Sequence, residues 1–448
     1  MSYKQSITAF TERIRASEIA TRLVSGAFWS VLGNVLGRGL ILTAFIIVAR
    51  LIGQKGYGEL AIIRSTILMF AALSGAALGL TAARYIALYR NTEPQKMYEV
   101  YLLSRYFSIG MGFLVAILLY FFAPLIAGQS LHAPELTNDI RCGAVALFFI
   151  SVSSVQTGIL QGFERFKAIA INTILLGIIH LLCLSLGAYF DGIRGVILGM
   201  GVSYFFLYLL NKRYTVQSVA NKAPEKRGAK HIHKDTLSIL WKFSLPAVLS
   251  PFLVIIVIWW CKTMIVKIDG FEAVANYDVA EQWSIIILFI PLVLSGMITP
   301  ILSNVLSEGT ATQYRKLINI DIIINILISV LATAVILLFS SLILKSYGAG
   351  FNDTRTFMIV LLATIPNATA IVLGNIIASK GKMWAGFILN ILWTLWIMIF
   401  FSVFVCKMGY GVFGLALTML AAHTLHFVFS YAYVWVNVMK DKTSQIRM

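Results

Sequence analysis

Apolar runs long enough to cross a membrane follow one another through this 448-residue chain, about a dozen in all. A spanning helix needs roughly 20 mostly apolar residues. Hydrocarbon offers the backbone no hydrogen-bonding partner, so such runs must be helices or strands of a closed barrel. Barrel strands would alternate over about ten residues, and these runs are unbroken. The sequence therefore predicts an all-α polytopic membrane protein. Only 12% of the residues are charged and 59% are hydrophobic, where a soluble domain carries about a quarter charged.

The runs place spans at 25–49, 59–84, 100–126, 141–162, 168–190, 195–211, 239–262, 276–305, 317–344, 356–378, 384–406 and 411–436. Twelve spans put both termini on one side. Placing the N-terminus in the cytoplasm assigns 22 Lys and Arg residues to inner segments and 8 to outer ones. Positive residues favour the cytoplasm, so both termini are expected there. The formal charge of +17 is thus read as topology and not as a nucleic-acid surface.

The expected organisation has five parts. Residues 1–24 form a cytoplasmic segment with no cleavable signal. Its Ile7, Phe10 and Ile14, near Arg13 and Arg15, make either a short surface-lying amphipathic helix or a polar tail. A six-helix lobe follows at 25–211. The stretch 212–238 is a basic cytoplasmic linker, the one long polar interruption. A second six-helix lobe spans 239–437, and 438–448 is a cytoplasmic tail. The halves look related: Tyr57 and Tyr277 open second spans 220 residues apart, and Asn172 and Asn390 open fifth spans 218 apart. Six spans per repeat keep the orientation, so the repeat is parallel, with its axis along the membrane normal. Two such lobes enclose a central cavity.

Charges inside the spans say what that cavity receives. Arg38, Arg64, Arg84 and Arg105 stand in first-lobe spans. An arginine at the bilayer centre costs about 2.5–3.5 kcal/mol even on insertion scales, so it faces protein or water. Ser30, Asn34 and Arg38 share a helix face at i, i+4, i+8. Tyr101, Arg105 and Ser108 make another, as do Ser154, Thr157 and Gln161, and Asp321, Asn325 and Ser329. Such stripes predict a wet cavity, or else buried bonds between helices. The guanidinium fork suits phosphate, so Arg38, near the midplane, Arg64, roughly 10 Å inside the outer edge, Arg105, Asn34 and Lys242 are the expected anion-binding residues. Arg105 and Lys242 lie near the cytoplasmic face, where such side chains also snorkel. Asp278, Glu281 and Asp321 are the carboxylates of the second lobe. They are candidates for carrying protons or a cation, and Asp278 and Glu281 are also placed to pair with Lys262 or Lys267.

No catalytic constellation, metal-ligand spacing or nucleotide-binding GxxxxGK[ST] loop is present. No cofactor is expected. Cys142, Cys183, Cys261 and Cys406 are dispersed and read as small core residues. His423 and His426 read as satisfied histidines between helices.

The stretch "FWSVLGNVLGRGLILTAFIIVARLIGQKGYGELAIIRSTILMFAALSGAALGLTAARYIA" (28–87), with "ILQGFERFK" (159–167) and "TPILSNVL" (299–306), resembles the polysaccharide transporter family. This is the O-antigen flippase (Wzx-type) branch of the multidrug/oligosaccharidyl-lipid/polysaccharide (MOP) exporter superfamily. The resemblance implies a flippase of the bacterial inner membrane. It would move an undecaprenyl-diphosphate-linked oligosaccharide from the cytoplasmic to the periplasmic leaflet by alternating access, without being an enzyme. Coupling to H+ or Na+ and polymerase or chain-length partners are implied on the same basis. The competing reading is a drug or metabolite cation antiporter of the superfamily, which predicts carboxylates, not arginines, dominating the first-lobe cavity.

Overall fold

The computed structural model describes residues 18–74, 76–222, 245–308, 311–379 and 382–439. The expected amphipathic stripe at Ile7 to Ile14, Lys242, most of the linker and the C-terminal tail lie outside them.

Among the described residues no strand occurs. The principal helices are α1 (Glu18–Ser74), α2 (Ala76–Tyr89), α3 (Pro94–Leu125), α4 (Thr137–Gly162), α5 (Phe166–Lys222), α6 (Leu245–Glu308), α7 (Ala311–Leu338), α8 (Ser340–Tyr347), α9 (Thr354–Ser379), α10 (Met383–Phe401) and α11 (Gly411–Val434). Nine described helices are long and apolar enough to cross a membrane. Three of the longest are folded back on themselves. α1 turns at Gly53 (φ 73°), α5 at Asp191–Gly192 and α6 at Gly270 (φ 84°). Side-chain-bearing residues rarely hold such φ values, so glycine marks the turns at Gly53 and Gly270. The arms lie against each other. The guanidinium of Arg64 covers the Phe45 ring at 4.6 Å, and Gly187 meets the backbone of Gly195 with no room for a Cβ. The turns fall in the loops expected from the hydropathy pattern.

One boundary differs. The helix expected to stop at 211 runs on to Lys222, into the stretch read as linker. Its polar continuation stays packed: Arg165 donates to Ser218 at 3.1 Å, and Lys222 to Asn91 at 2.9 Å. A helix can leave the membrane without unwinding when a neighbour supplies polar partners.

The small-residue patterns are contact points. In "GNVLG", a Cβ on Gly33 would lie 2.5 Å from the Ala170 backbone, and one on Gly37 would lie 2.7 Å from Thr173. α1 thus sits directly on α5. Gly79 and Gly158 bring α2 and α4 equally close. With no hydrophobic drive between helices in lipid, such close packing is what holds them. The two lobes meet chiefly along α1 and α6, and a single buried apolar cluster runs through both. Large side chains such as Phe121, Leu327 and Leu338 point outward, as a lipid-facing surface requires.

Candidate functional site

A cavity of about 700 Å³ lies between the lobes. Both arms of α1 and both arms of α6 wall it, with contributions from α4 and α5. That size is ordinary for a site holding a drug-sized group. Most of the lining is apolar, and its polar groups are few and specific.

Arg38 and Asn34 face it from the first arm of α1. Four residues apart, they stack along one helix face, and Arg38 donates from Nε to Asn34 Oδ1 at 3.1 Å. Asn34 in turn donates to the Ser30 carbonyl at 2.9 Å. The guanidinium stands 5.7 Å from the centre of the Phe289 ring. Among the described residues no carboxylate pairs with Arg38. Its fork is held in orientation by Asn34 and remains available to a ligand.

Arg64 also lines the cavity, from the second arm of α1, and it is already paired. Its Nη2 donates to both oxygens of Asp278, at 2.6 and 2.7 Å. Asp278 belongs to the opposite lobe, is 1% exposed and accepts from Gln282 at 2.8 Å. Lys262 completes the group, 3.5 Å from Asp278 and bonded to Glu281. Asp278, Glu281 and Gln282 sit at i, i+3 and i+4 on α6, one helical face. Gln282 also donates to the hydroxyl of Tyr57, which joins the lobes a second time. The cavity therefore carries Arg38, Arg64 and Lys262 against Glu281, with Asp278 just behind the wall. One positive charge is left uncompensated among the described residues.

Further contacts cluster toward the Gly53 and Gly270 turns. Arg50 donates to the Ser346 carbonyl at 2.6 Å, and Gln54 to the Glu272 carbonyl at 3.3 Å. Tyr57 packs edge-on against Tyr347 and Phe351, and Gly58 touches the Phe271 carbonyl. This end of the cavity is shut by direct contact between the lobes.

The polar stripes read from the sequence do not converge on one space. Asn34 and Arg38 reach the central cavity, and so does Ser154. Tyr101, Arg105 and Ser108 line a separate pocket of about 30 Å³, together with Gln156 and Lys212. Thr157 is used between helices, accepting from Asn211 at 3.2 Å. Asp321, Asn325 and Ser329 are buried in the second lobe away from the cavity, where Asn325 donates to Asp321 at 2.6 Å. Among the described residues no cation pairs with Asp321. Periodicity identifies a shared face; what that face meets depends on the neighbouring helix. His423, read as satisfied between helices, accepts from Trp393 at 3.2 Å. The partnership of Arg64 with Asp278, 214 positions along the chain, has no local sequence signal.

Residues 23–306 match the family model described as polysaccharide biosynthesis protein. The chain is 24% identical over 407 residues to the EPS I polysaccharide export inner membrane protein EpsE of Ralstonia solanacearum, covering 88% of this chain and 90% of that one. Its fold is similar to an inward-facing multidrug resistance MATE family transporter of the MOP superfamily, at TM-score 0.78 and 15% identity, over 93% of this chain and 99% of that one. It is also similar to a MOP superfamily transporter from Pyrococcus furiosus described as having a binding pocket of reverse polarity, at TM-score 0.70 and 16% identity, over 94% and 96% of the two chains.

Proposed function

Because this chain belongs to the polysaccharide biosynthesis protein family, we propose that it is a flippase for lipid-linked oligosaccharides of surface polysaccharide assembly. The observation that carries this reading is Arg38: an oriented guanidinium, without a carboxylate partner among the described residues, inside a cavity between two lobes of a membrane protein. A diphosphate head cannot cross hydrocarbon, since an isolated ion there costs tens of kcal/mol by Born solvation. A cavity with a cationic fork gives it partners, while the polyprenyl tail stays in lipid beside the protein. Arg38 and Asn34 bind the diphosphate first, and Arg64 and Lys262 are further cations within the same space.

The protein lies in the bacterial inner membrane with both termini in the cytoplasm, and the lobes exchange access between the two leaflets. The end shut by Arg64, Asp278, Tyr57 and Gln282 faces the periplasm in this orientation. The lobes separate there when the opposite end closes. Arg105 lines a pocket of its own, apart from this cavity.

The multidrug transporters of similar fold keep a second reading in view, efflux of organic cations, for which Glu281 in the cavity wall would be the anchor. Reconstituted protein separates the two. A polyprenyl-diphosphate oligosaccharide labelled on its sugar becomes accessible in the opposite leaflet if the flippase reading is right. Failure of that lipid to move, with gradient-driven uptake of a lipophilic cation such as ethidium, would overturn it.

A further inference from the structure

We infer that Asp278 sets the charge requirement of the transported head group. Only a ligand with two anionic centres displaces it from Arg64, and that exchange releases the lobes at the shut end. This inference rests on the flippase reading.

Arg38 makes no ion pair among the described residues, so one anionic centre settles there and disturbs nothing else. Arg64 and Lys262 are neutralised by Asp278 and Glu281. An entering anion gains little from them unless it takes the place of a carboxylate. Asp278 holds Arg64 through charge-assisted bonds from one guanidinium nitrogen to both carboxylate oxygens, and a phosphate offers a guanidinium bonds of the same kind. The second phosphate of a diphosphate is such a replacement, already tethered to the first, and so is present at high effective concentration.

The exchange matters because of where Asp278 sits. Arg64 to Asp278 joins the two lobes by an ion pair. The other bonds near it use neutral groups or backbone carbonyls: Gln282 to Tyr57, Trp259 to Thr66 at 2.9 Å, Gln54 to Glu272. A ligand that removes Arg64 from Asp278 leaves Asp278 with Lys262 and Gln282, all on α6. Its charge stays satisfied within one lobe, and the charged link across the boundary is gone. A diphosphate thus binds the lobe-separated state better than the shut one, which is the condition for a ligand to drive a conformational change. A polyprenyl monophosphate, the carrier without its second phosphate, binds at Arg38 and leaves the latch closed. The device keeps the monophosphate form of the carrier lipid from being cycled.

The test uses full-length protein in which Cys142, Cys183, Cys261 and Cys406 are replaced by alanine and Gln54 and Glu272 by cysteine. Positions 54 and 272 touch across the shut end. Cross-linking by a short bifunctional thiol reagent then reports closure, and binding of each radiolabelled lipid is measured on the same protein. With polyprenyl diphosphate the closed-to-open ratio read from the yield should fall roughly tenfold, as differential binding of ~1.4 kcal/mol would produce. Polyprenyl monophosphate should bind and leave the yield unchanged. Asp278→Asn should lower the yield without any lipid. Should it fail to fold, the two lipids on the parent protein still decide. An equal response to both lipids, or diphosphate that binds without lowering the yield, overturns the charge requirement while leaving transport intact. Absence of diphosphate binding overturns the flippase reading and this inference with it.

Discussion

Asp278 accepts two hydrogen bonds from a single nitrogen of Arg64, at 2.6 and 2.7 Å, across the boundary between the two lobes. Removing Asp278 leaves Arg64 charged, buried and uncompensated, which costs about 3–5 kcal/mol, whereas Asp278 without Arg64 keeps Lys262 and Gln282 and loses less. Arg64→Met and Asp278→Leu should each lower the thermal unfolding midpoint of the detergent-purified protein. The double variant should recover most of the loss, because Lys262 keeps Glu281. A double variant as unstable as the sum of the singles would deny the pairing its structural weight.

Arg38→Ala should cut binding of a polyprenyl-diphosphate oligosaccharide roughly tenfold to a hundredfold, the span of ~1.5–3 kcal/mol for a hydrogen bond to a charged group. Arg38→Lys should retain part of it, since charge survives and the fork is lost. Asn34→Ala, which frees the guanidinium to rotate, should fall between the parent and Arg38→Ala. Normal flipping by Arg38→Ala in proteoliposomes would remove Arg38 from the site.

Gly58 approaches the Phe271 carbonyl so closely that a methyl group has no room. Gly58→Ala should hold the lobes apart at that end, seen as loss of thiol cross-linking between positions 54 and 272. Gly158 contacts Gly79 inside the first lobe, so Gly158→Ala should lower stability and leave cross-linking of the surviving protein unchanged. Full closure by Gly58→Ala would show that the contact yields easily.

Orientation is tested with a cysteine at position 225 in a cysteine-free background. An impermeant thiol reagent should label it only after the cells are opened, as a cytoplasmic linker requires. Labelling in intact cells would invert the topology drawn from the 22-to-8 distribution of Lys and Arg.

Energy coupling is tested by neutralising Asp278, Glu281 and Asp321 one at a time to Asn or Gln. Asp321 is the strongest of the three, because it is buried with Asn325 as its donor and, among the described residues, no cation pairs with it. Asp321→Asn should abolish the response of flipping to an imposed H+ or Na+ gradient while downhill movement continues. An unchanged response in all three variants would make the carboxylates structural.

The helices themselves were legible without any structure. In lipid an apolar run has no alternative to satisfying its own backbone, so run length and hydropathy decide that Phe28 to Ser74 and its counterparts are helices. The turns at Gly53 and Gly270 are equally local, since a left-handed φ between two apolar runs favours glycine. Lys and Arg counts supply an expected orientation for the same reason, one charge at a time. The site was legible only in part. That Asn34 and Arg38 share a face follows from 3.6 residues per turn, and both do reach the cavity. The same periodicity grouped Tyr101 with Arg105, and Asp321 with Asn325, yet those faces meet a small separate pocket and a buried helix contact. Arg64 looked like a second free cation and is in fact neutralised by Asp278 from the far lobe. Helical spacing states which side chains lie together on one helix. Which helix they confront, and whether a charge meets a ligand or its own counter-ion, is settled only when two lobes encoded some 200 residues apart pack face to face.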